Sequence, residues 1–148
     1  MKMCKVLLKE RDLKEARHFY EDLFHMDVSA DFGDNIVFRE GLVIEKGETD
    51  TVKKHSYAAF DGELYFETDY FCDFLKRLKR HDVYMVSPLF ERDFGQRAIR
   101  FTDPSGHLIE VAESERCLAR RLKEEGYTVE DIAKKMHLLD DRIWHLVS

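Results

Sequence analysis

Hydrophobic and polar residues alternate in several short segments of this chain. Between the first two of these segments, the apolar residues follow the period of a helix. Alternation around Val6 and Leu8 predicts a strand at about residues 2–9. Asp12 can cap a following helix, whose apolar positions are Leu13, Ala16, Phe19, Tyr20 and Leu23. Further strands are predicted at about 27–32, 35–39 and 41–46. The first part of the chain is therefore predicted to be a β-α-β-β-β unit.

The same order of elements returns after a polar connector from Gly47 to Gly62. Alternation predicts a strand at 64–68, and a helical period predicts a helix with apolar positions Phe71, Phe74, Leu75 and Leu78. Short strands are predicted near 83–86, 97–102 and 107–112. This pattern indicates an internal duplication of the whole unit.

A turn between the last two strands carries the most distinctive residues. In Asp103-Pro104-Ser105-Gly106, Asp can bond its own backbone, Pro presets φ and Gly accepts a positive φ. The strand after the turn carries Glu110 among apolar neighbours. An ionised carboxylate in such a place needs a partner, a bound ion or a shifted pKa.

Two segments resemble one known family. Phe101-Thr-Asp-Pro-Ser-Gly-His-Leu-Ile-Glu110 resembles the closing hairpin of the vicinal oxygen chelate superfamily, which includes glyoxalase I, bleomycin-resistance proteins, fosfomycin-resistance enzymes and extradiol dioxygenases. Lys9-Glu-Arg-Asp-Leu-Lys-Glu-Ala-Arg-His-Phe-Tyr-Glu-Asp-Leu23 resembles its opening strand and helix, with Phe24 where the family usually has Gly. The resemblance covers about residues 2–113.

The resemblance implies an α+β fold in which two paired βαβββ units form a curved mixed sheet with a concave pocket. We therefore expect a glyoxalase/bleomycin-resistance-like domain at 1–113, with units at about 1–47 and 63–113. The helices are expected to cover the convex face, packed on alternate strand residues: Val6, Leu8, Leu42, Ile44, Leu64, Phe66, Ile99, Phe101, Ile109 and Val111.

Metal-binding members of the superfamily take ligands from the first and last strands of each unit. Carried onto this chain, those positions fall at Lys5, Glu45, Glu63 and Glu110. A charged lysine cannot coordinate a metal, and the remaining oxygen ligands would suit Mg²⁺ or Mn²⁺ better than Zn²⁺ or Ni²⁺. The alternative is a buried ionic network in which Lys5 and Arg100 neutralise the three glutamates without a metal. We favour the network.

The same alternation gives the residues expected to face the pocket. The ligand pocket is predicted to be lined by Lys5, Leu7, Glu45, Tyr65, Arg100 and Leu108. If the protein is an enzyme, Glu110 and Glu63 are the candidate catalytic residues, and would move a proton next to a carbonyl. His107 follows the turn, where we expect it to satisfy backbone groups.

Composition narrows the partners and the compartment. The chain has 148 residues with 24 Lys and Arg against 30 Asp and Glu, a net charge of -6, which argues against broad nucleic-acid or anionic-membrane binding. Its three cysteines match no Cys-x-x-Cys spacing and indicate free thiols in a reducing compartment. No membrane span or signal peptide is apparent. We expect a cytoplasmic homodimer that binds a small molecule.

Residues 114–148 are predicted to form a helical tail of three helices. Gly126 can end the first, Thr128 can cap the second, and Ile143, Trp144 and Val147 are expected on the buried side of the third. Part of this tail resembles a helix-turn-helix segment, but its seven basic and seven acidic residues lack the basic face that DNA binding needs.

Three functions remain open. The first is a binding protein of the bleomycin-resistance kind, with a ligand in the sheet pocket, no tight metal and no turnover. The second is a metal-dependent lyase or isomerase resembling glyoxalase I. The third is a regulator that senses a metabolite in the pocket and contacts a partner through the helical tail. The first is preferred, because Lys5 replaces an expected metal ligand.

Overall fold

The computed structural model describes residues 1–47 and 62–148, so residues 48–61 of the predicted connector from Gly47 to Gly62 lie outside the described residues. The contacts divide the chain into two compact units. His81–Tyr84 and Thr102–Leu108 group with the N-terminal residues Met1–Glu63 in the first unit. The second unit contains Leu64–Arg80, Met85–Phe101 and Ile109–Ser148.

The N-terminal residues form one four-stranded sheet and one helix. The elements are β1 (Val6–Glu10), α1 (Leu13–Phe24), β2 (Val28–Asp31), β3 (Asn35–Phe38) and β4 (Leu42–Lys46). The strand order is β1-β4-β3-β2, with β1 parallel to β4 and the other pairs antiparallel. Asp12 caps α1 as expected, since its side chain accepts a hydrogen bond from Glu15 N–H at 3.0 Å.

The second sheet repeats this order of elements. They are β5 (Leu64–Thr68), α2 (Phe71–Leu78), β6 (Met85–Glu91), β7 (Arg97–Thr102) and β8 (Leu108–Glu113). The strand order is β5-β8-β7-β6, with β5 parallel to β8 and β6 antiparallel to β7. The predicted α+β fold with two βαβββ units and C-terminal helices is confirmed.

Two strands differ most from their predicted bounds. β1 runs from Val6 to Glu10, so Lys5 precedes the strand and Glu10 belongs to it. β6 runs from Met85 to Glu91 and contains Pro88, which sequence patterns treat as a strand breaker. β6 tolerates the proline because it is an edge strand of its sheet.

Strand alternation predicts the core correctly at most positions. Seven of the ten expected residues are buried: Leu8, Leu42, Ile44, Ile99, Phe101, Ile109 and Val111. The other three, Val6, Leu64 and Phe66, are half-buried. In the second unit, the rings of Phe74 on α2 and Phe101 on β7 stack with centroids 6.1 Å apart, so α2 covers this face of the sheet.

The C-terminal helices have a hydrophobic cluster of their own. They are α3 (Glu115–Glu124), α4 (Val129–Met136) and α5 (Asp140–Val147). Ser114 and Thr128 cap α3 and α4. The cluster consists of Leu118, Ala119, Leu122, Val129, Ile132, Ala133, Met136 and Ile143. Trp144 was expected to be buried, but it is 55% exposed and has Lys123 Nζ 5.9 Å from its ring centroid.

None of the helices formed by residues 1–47 and 62–148 combines the length and the apolar character that crossing a membrane requires.

Truncating Ile143 tests whether the three helices share this cluster. Ile143 is fully buried, so Ile143→Ala should lower the free energy of unfolding by about 2–5 kcal/mol. Leu139→Ala is the control, because Leu139 is 81% exposed and its truncation should change stability by about 0.5 kcal/mol or less. Urea denaturation followed by circular dichroism measures both. Equal effects would contradict the described packing.

Candidate functional site

Glu110 on β8 is a buried carboxylate held by two arginines of the second unit. Its side chain is 1% exposed. Arg92 Nη2 donates to both carboxylate oxygens, at 2.8 Å and 2.9 Å, and Arg100 Nη2 lies 3.0 Å from Oε1. An unpaired buried carboxylate is strongly destabilising. The two guanidinium groups therefore allow Glu110 to be ionised inside the protein.

Phe90 on β6 restrains both arginines. The guanidinium carbons of Arg92 and Arg100 lie 5.2 Å and 5.1 Å from the centroid of its ring, within cation–π range. The two side chains remain 29% and 36% exposed. The arginines are therefore fixed by Glu110 and Phe90 while part of each guanidinium still faces solvent.

Gln96 connects the arginine pair with β5. Its Oε1 accepts a hydrogen bond from Arg92 Nη1 at 3.2 Å, and its Nε2 donates to Tyr65 Oη at 3.1 Å and to the Glu113 carbonyl at 2.8 Å. Tyr65 lies directly opposite Glu110 in the parallel β5–β8 pair. Burial is the main cause that raises the pKa of Tyr65 above its ordinary value, so its hydroxyl stays protonated at neutral pH.

Helix α3 holds the turn that carries Gln96. Arg121 of α3 donates from Nε and Nη2 to the two oxygens of buried Glu113, at 2.7 Å and 2.9 Å, and from Nη2 to the Gly95 carbonyl at 2.7 Å. The backbone N–H of Arg97 donates to Glu113 as well, at 2.9 Å. Hydrogen bonds thus run from the C-terminal helices to Gln96 and on to Arg92.

The structure brings together three of the residues predicted from the sequence to form the site. Tyr65 and Arg100 both adjoin Glu110, and the predicted neutralisation of Glu110 by Arg100 is present at 3.0 Å. Arg92, Gln96 and Phe90 were missed. Phe90 lies in the part of β6 that the proline-containing pattern did not predict, Arg92 directly follows that strand, and Gln96 lies in the turn just before β7. The basic residue two positions after Phe90 was the available signal for Arg92.

The other predicted site residues group with the first unit. Lys5 is exposed just before β1, and Leu7 in β1 is 54% exposed. Glu45 forms its ion pair with Lys9 rather than with Lys5, because the register places Lys9 opposite Glu45. Glu45, Glu63 and Leu108 are the half-buried residues of the set. The convergence of Glu45, Glu63 and Glu110 in one pocket stays a prediction.

A second polar cluster surrounds the Asp103 turn in the first unit. Asp103 Oδ1 accepts from the backbone N–H groups of Ser105 and His107, at 3.0 Å and 2.9 Å. Its Oδ2 accepts from Tyr20 Oη at 2.8 Å and from His107 Nδ1 at 2.9 Å. His107 therefore does more than complete the turn, because its half-buried ring supplies a charge partner for buried Asp103.

Glu10, the last residue of β1, belongs to the same cluster and was missed from the sequence. It is fully buried, and its Oε1 lies 3.4 Å from His107 Nδ1. Neither of its side-chain oxygens has a hydrogen-bond partner within the described part of the chain. The period of two, which puts Glu10 on the same face as Val6 and Leu8, was the available signal.

The cluster shifts the pKa values of its members in opposite directions. Burial raises the pKa of Glu10 to about 7. Burial alone would lower the pKa of His107, but its contacts with Asp103 and Glu10 raise it to about 10. Burial alone would raise the pKa of Asp103, but hydrogen bonds and the charge of His107 lower it to about 2. Near neutral pH, the cluster therefore holds an imidazolium and an ionised Asp103.

The ligand-type atoms of Glu10, Asp103 and His107 lie within 4.8 Å of one another, which is close enough to surround a metal ion. However, Nδ1 of His107 carries the proton that Asp103 accepts. A metal would have to displace that proton and compete with Tyr20 for Oδ2. The arrangement is better suited to holding a proton than a metal.

A cavity of about 340 Å³ also lies in the first unit, lined mainly by residues of α1 and of the segments 81–84 and 102–104. His18, His81 and Tyr84 give it polar groups, and His81 Nε2 lies 2.6 Å from Asp22. A small molecule could therefore bind in this cavity of the first unit.

Comparison with known proteins identifies the family. The family model for a glyoxalase-like domain matches residues 3–116. This chain belongs to the glyoxalase-like family. The recognition of the vicinal oxygen chelate superfamily from the two sequence segments is thereby confirmed.

Solved structures agree with this assignment. A protein of unknown function from Agrobacterium tumefaciens is 30% identical, with a TM-score of 0.65, and the match covers 77% of this chain and 94% of that one. The fosfomycin resistance protein FosX from Listeria monocytogenes is 21% identical over 77% and 93%, with a TM-score of 0.61. A lactoylglutathione lyase from Agrobacterium tumefaciens is 19% identical over 86% and 98%, with a TM-score of 0.55. No curated protein matches the chain.

The residues around Glu110 do not fit the divalent metal that the superfamily resemblance implies. Two guanidinium nitrogens occupy the space within 3.0 Å of its oxygens, where a metal ion would have to lie. Their positive charges also repel a divalent cation. The geometry therefore supports no reaction step through a metal at Glu110.

The pKa shifts at the turn predict how stability depends on pH. The pKa values of Glu10 and His107 are raised from 4.5 and 6.5 to about 7 and about 10. Their contributions to the free energy of unfolding are complete below the unfolded values and are lost as the pH rises through the folded values. His107→Gln should lower the free energy of unfolding by on the order of 2 kcal/mol at pH 6. It should also remove the decline in this free energy between pH 6.5 and 10.

Glu10→Gln is the matched variant, because it keeps the shape and removes the charge. Glu10→Gln should remove the decline in the free energy of unfolding between pH 4.5 and 7, while the decline above pH 7 should remain. Urea denaturation of both variants across this pH series measures the slopes. Slopes that both variants leave unchanged would show that the cluster does not titrate in this way.

Proposed function

We propose that this chain binds a small molecule on the face of the second sheet that carries Glu110, and that binding requires no tightly held metal. One observation carries the proposal: both oxygens of Glu110 are engaged by guanidinium N–H groups. The residue that the resemblance assigns to a metal-ligand position is thus part of an ion-pair network. This supports a binding protein of the glyoxalase/bleomycin-resistance kind over a metal-dependent lyase or isomerase.

The same contacts bear on catalysis by Glu110. A carboxylate that acts as a general base needs an oxygen in reach of the substrate proton. Arg92 and Arg100 already occupy the oxygens of Glu110, which is buried beneath them. Exposed Tyr65 and the outer parts of the two arginines are the groups that a ligand would contact on this face. The proposal is therefore binding without turnover by Glu110.

Metal analysis tests the absence of a tight metal. Protein purified without a metal-affinity tag should contain substoichiometric amounts of Mn²⁺, Ni²⁺ and Zn²⁺ by mass spectrometry. Added ions should change the melting temperatures of the wild type and Glu110→Gln equally, because Glu110 is paired with arginines. One ion per wild-type chain that Glu110→Gln no longer holds would overturn the proposal.

A matched pair of tyrosines tests where the ligand binds. Anionic, neutral and cationic compounds are screened, and a hit is a compound that raises the melting temperature of the wild-type protein. Tyr65→Ala should weaken a hit about tenfold, because Tyr65 lies beside Glu110, whereas Tyr84→Ala should not. Tyr65 is 49% exposed and Tyr84 is 73% exposed, so neither truncation should unfold the protein. Loss of binding in Tyr84→Ala alone would place the ligand in the first unit's cavity.

We also propose a homodimer that uses the exposed edge strand β6. Met85, Val86 and Leu89 are large apolar side chains exposed on this strand, and they can form an apolar contact with a second copy. Leu89→Lys should shift the protein from dimer to monomer in light scattering coupled to size exclusion. Leu139→Lys, at an exposed position in the C-terminal helices, should not. A monomeric wild type would contradict this assembly.

A further inference from the structure

We infer that His18, Asp22 and His81 of the first unit form a separate site, which binds a late first-row divalent ion such as Zn²⁺ or Ni²⁺. The inference goes beyond the proposed function, because the three residues belong to the first unit and Glu110 belongs to the second. It depends on the spacing of two ligands on α1, on the position of His81 beside them and on the charge around them.

His18 and Asp22 lie four residues apart on α1, so they project from the same face of the helix. Two ligands at this spacing can reach one ion without distorting the helix, as in helical zinc motifs. His18 is exposed, and the side chain of Asp22 is 54% exposed. Both side chains can therefore turn toward an ion.

His81 supplies the third ligand from the segment 81–84. Its Nε2 lies 2.6 Å from Asp22 Oδ2, and its ring centroid lies 6.2 Å from that of His18. With zinc–nitrogen distances of about 2.0–2.1 Å, two imidazoles on one ion have centroids at most about 6.4 Å apart. The observed separation is within this limit, and a shift of about 1 Å at exposed His18 gives the shorter separation of a tetrahedral site.

The ring of His81 is held in place before an ion arrives. Its side chain is 12% exposed, and the ring of Phe19 packs edge-on against it with centroids 6.0 Å apart. The ion would displace the proton between His81 Nε2 and Asp22 Oδ2. Asp22 can rotate outward to make room because it is largely exposed, whereas Asp103 in the other polar cluster is buried.

Carboxylates near the three ligands favour a cation. Glu15, three residues before His18 on α1, and Asp82, next to His81, both line the adjoining cavity of about 340 Å³. Together with Asp22 they place three negative charges around the site. No lysine or arginine is among the described residues that line this cavity. Imidazole ligands select Zn²⁺ or Ni²⁺ among the cations that this negative field attracts.

The basic residues nearby do not cancel this field. Arg17 on α1 pairs with Glu21 at 2.5 Å and with Asp31 at 2.8 Å, so its charge is balanced within the first unit. Exposed Lys14 and Arg80, each adjacent in the chain to a residue of the site or cavity, reduce the field by at most one charge each. The three carboxylates still leave a negative balance.

The ion is expected to exchange with solvent, because two of its three ligands are exposed side chains. Purification without added metal should therefore leave the site largely empty. The site is thus compatible with a protein that holds no tight metal.

Calorimetry with Zn²⁺, Ni²⁺ and Mg²⁺ tests the site. The protein is first treated with EDTA and desalted. Its exposed thiols are removed by Cys4→Ser and Cys72→Ser, because thiolates also bind zinc. Zn²⁺ and Ni²⁺ should then bind saturably, at one ion per chain, and raise the melting temperature. Mg²⁺ should not, since it prefers oxygen ligands.

His18→Gln is the main variant, because His18 is exposed and its replacement should leave the fold intact. It should weaken Zn²⁺ binding about tenfold or more, as should His81→Gln and Asp22→Asn. His145→Gln is the matched control, since His145 is an exposed histidine of α5 in the second unit. The control should bind Zn²⁺ as tightly as the parent protein.

Three results would overturn the inference: no saturable Zn²⁺ binding, equal Zn²⁺ affinity in His18→Gln and His145→Gln, or Mg²⁺ binding as tight as that of Zn²⁺. Loss of the ion in His18→Gln with its retention in Glu110→Gln would support the site and leave the proposed function standing. Loss of the ion in Glu110→Gln with its retention in His18→Gln would defeat both.

Discussion

Burial of carboxylates is the constraint that organises this protein. Glu10, Asp103, Glu110 and Glu113 are all buried among the described residues, and each charge needs compensation. Asp103 obtains it from His107, Tyr20 and backbone N–H groups, whereas Glu110 and Glu113 obtain it from arginines. Glu10 lacks hydrogen bonds within the described chain, and its raised pKa is the physical response.

The partners of Glu110 change what this position can do. In metal-binding relatives of the superfamily, the last strand supplies a glutamate to the metal. The resemblance assigns this position to Glu110, whose oxygens are used by Arg92 and Arg100. The positive charge that compensates the Glu110 carboxylate is thus supplied by two arginines of the protein. One fold can therefore keep a residue type while its chemistry changes, because the neighbouring side chains decide its role.

The C-terminal helices are part of this arrangement rather than an independent addition. Arg121 of α3 fixes Glu113 and the Gly95 carbonyl, and the Glu113 carbonyl in turn accepts from Gln96. Gln96 then orients Arg92 and Tyr65. These hydrogen bonds therefore connect α3 with Arg92 on the face that carries Glu110.

The sequence by itself determined the two βαβββ units, most of the core and the place of Glu110, because periodicity and turn chemistry are local properties. It also indicated that Arg100 would neutralise Glu110. Only the tertiary structure decided that Arg92 joins them, that Lys9 replaces Lys5 as the partner of Glu45, and that Glu10 meets His107. These contacts join residues distant in the chain, or depend on the exact strand bounds and register, which hydrophobic patterns do not fix.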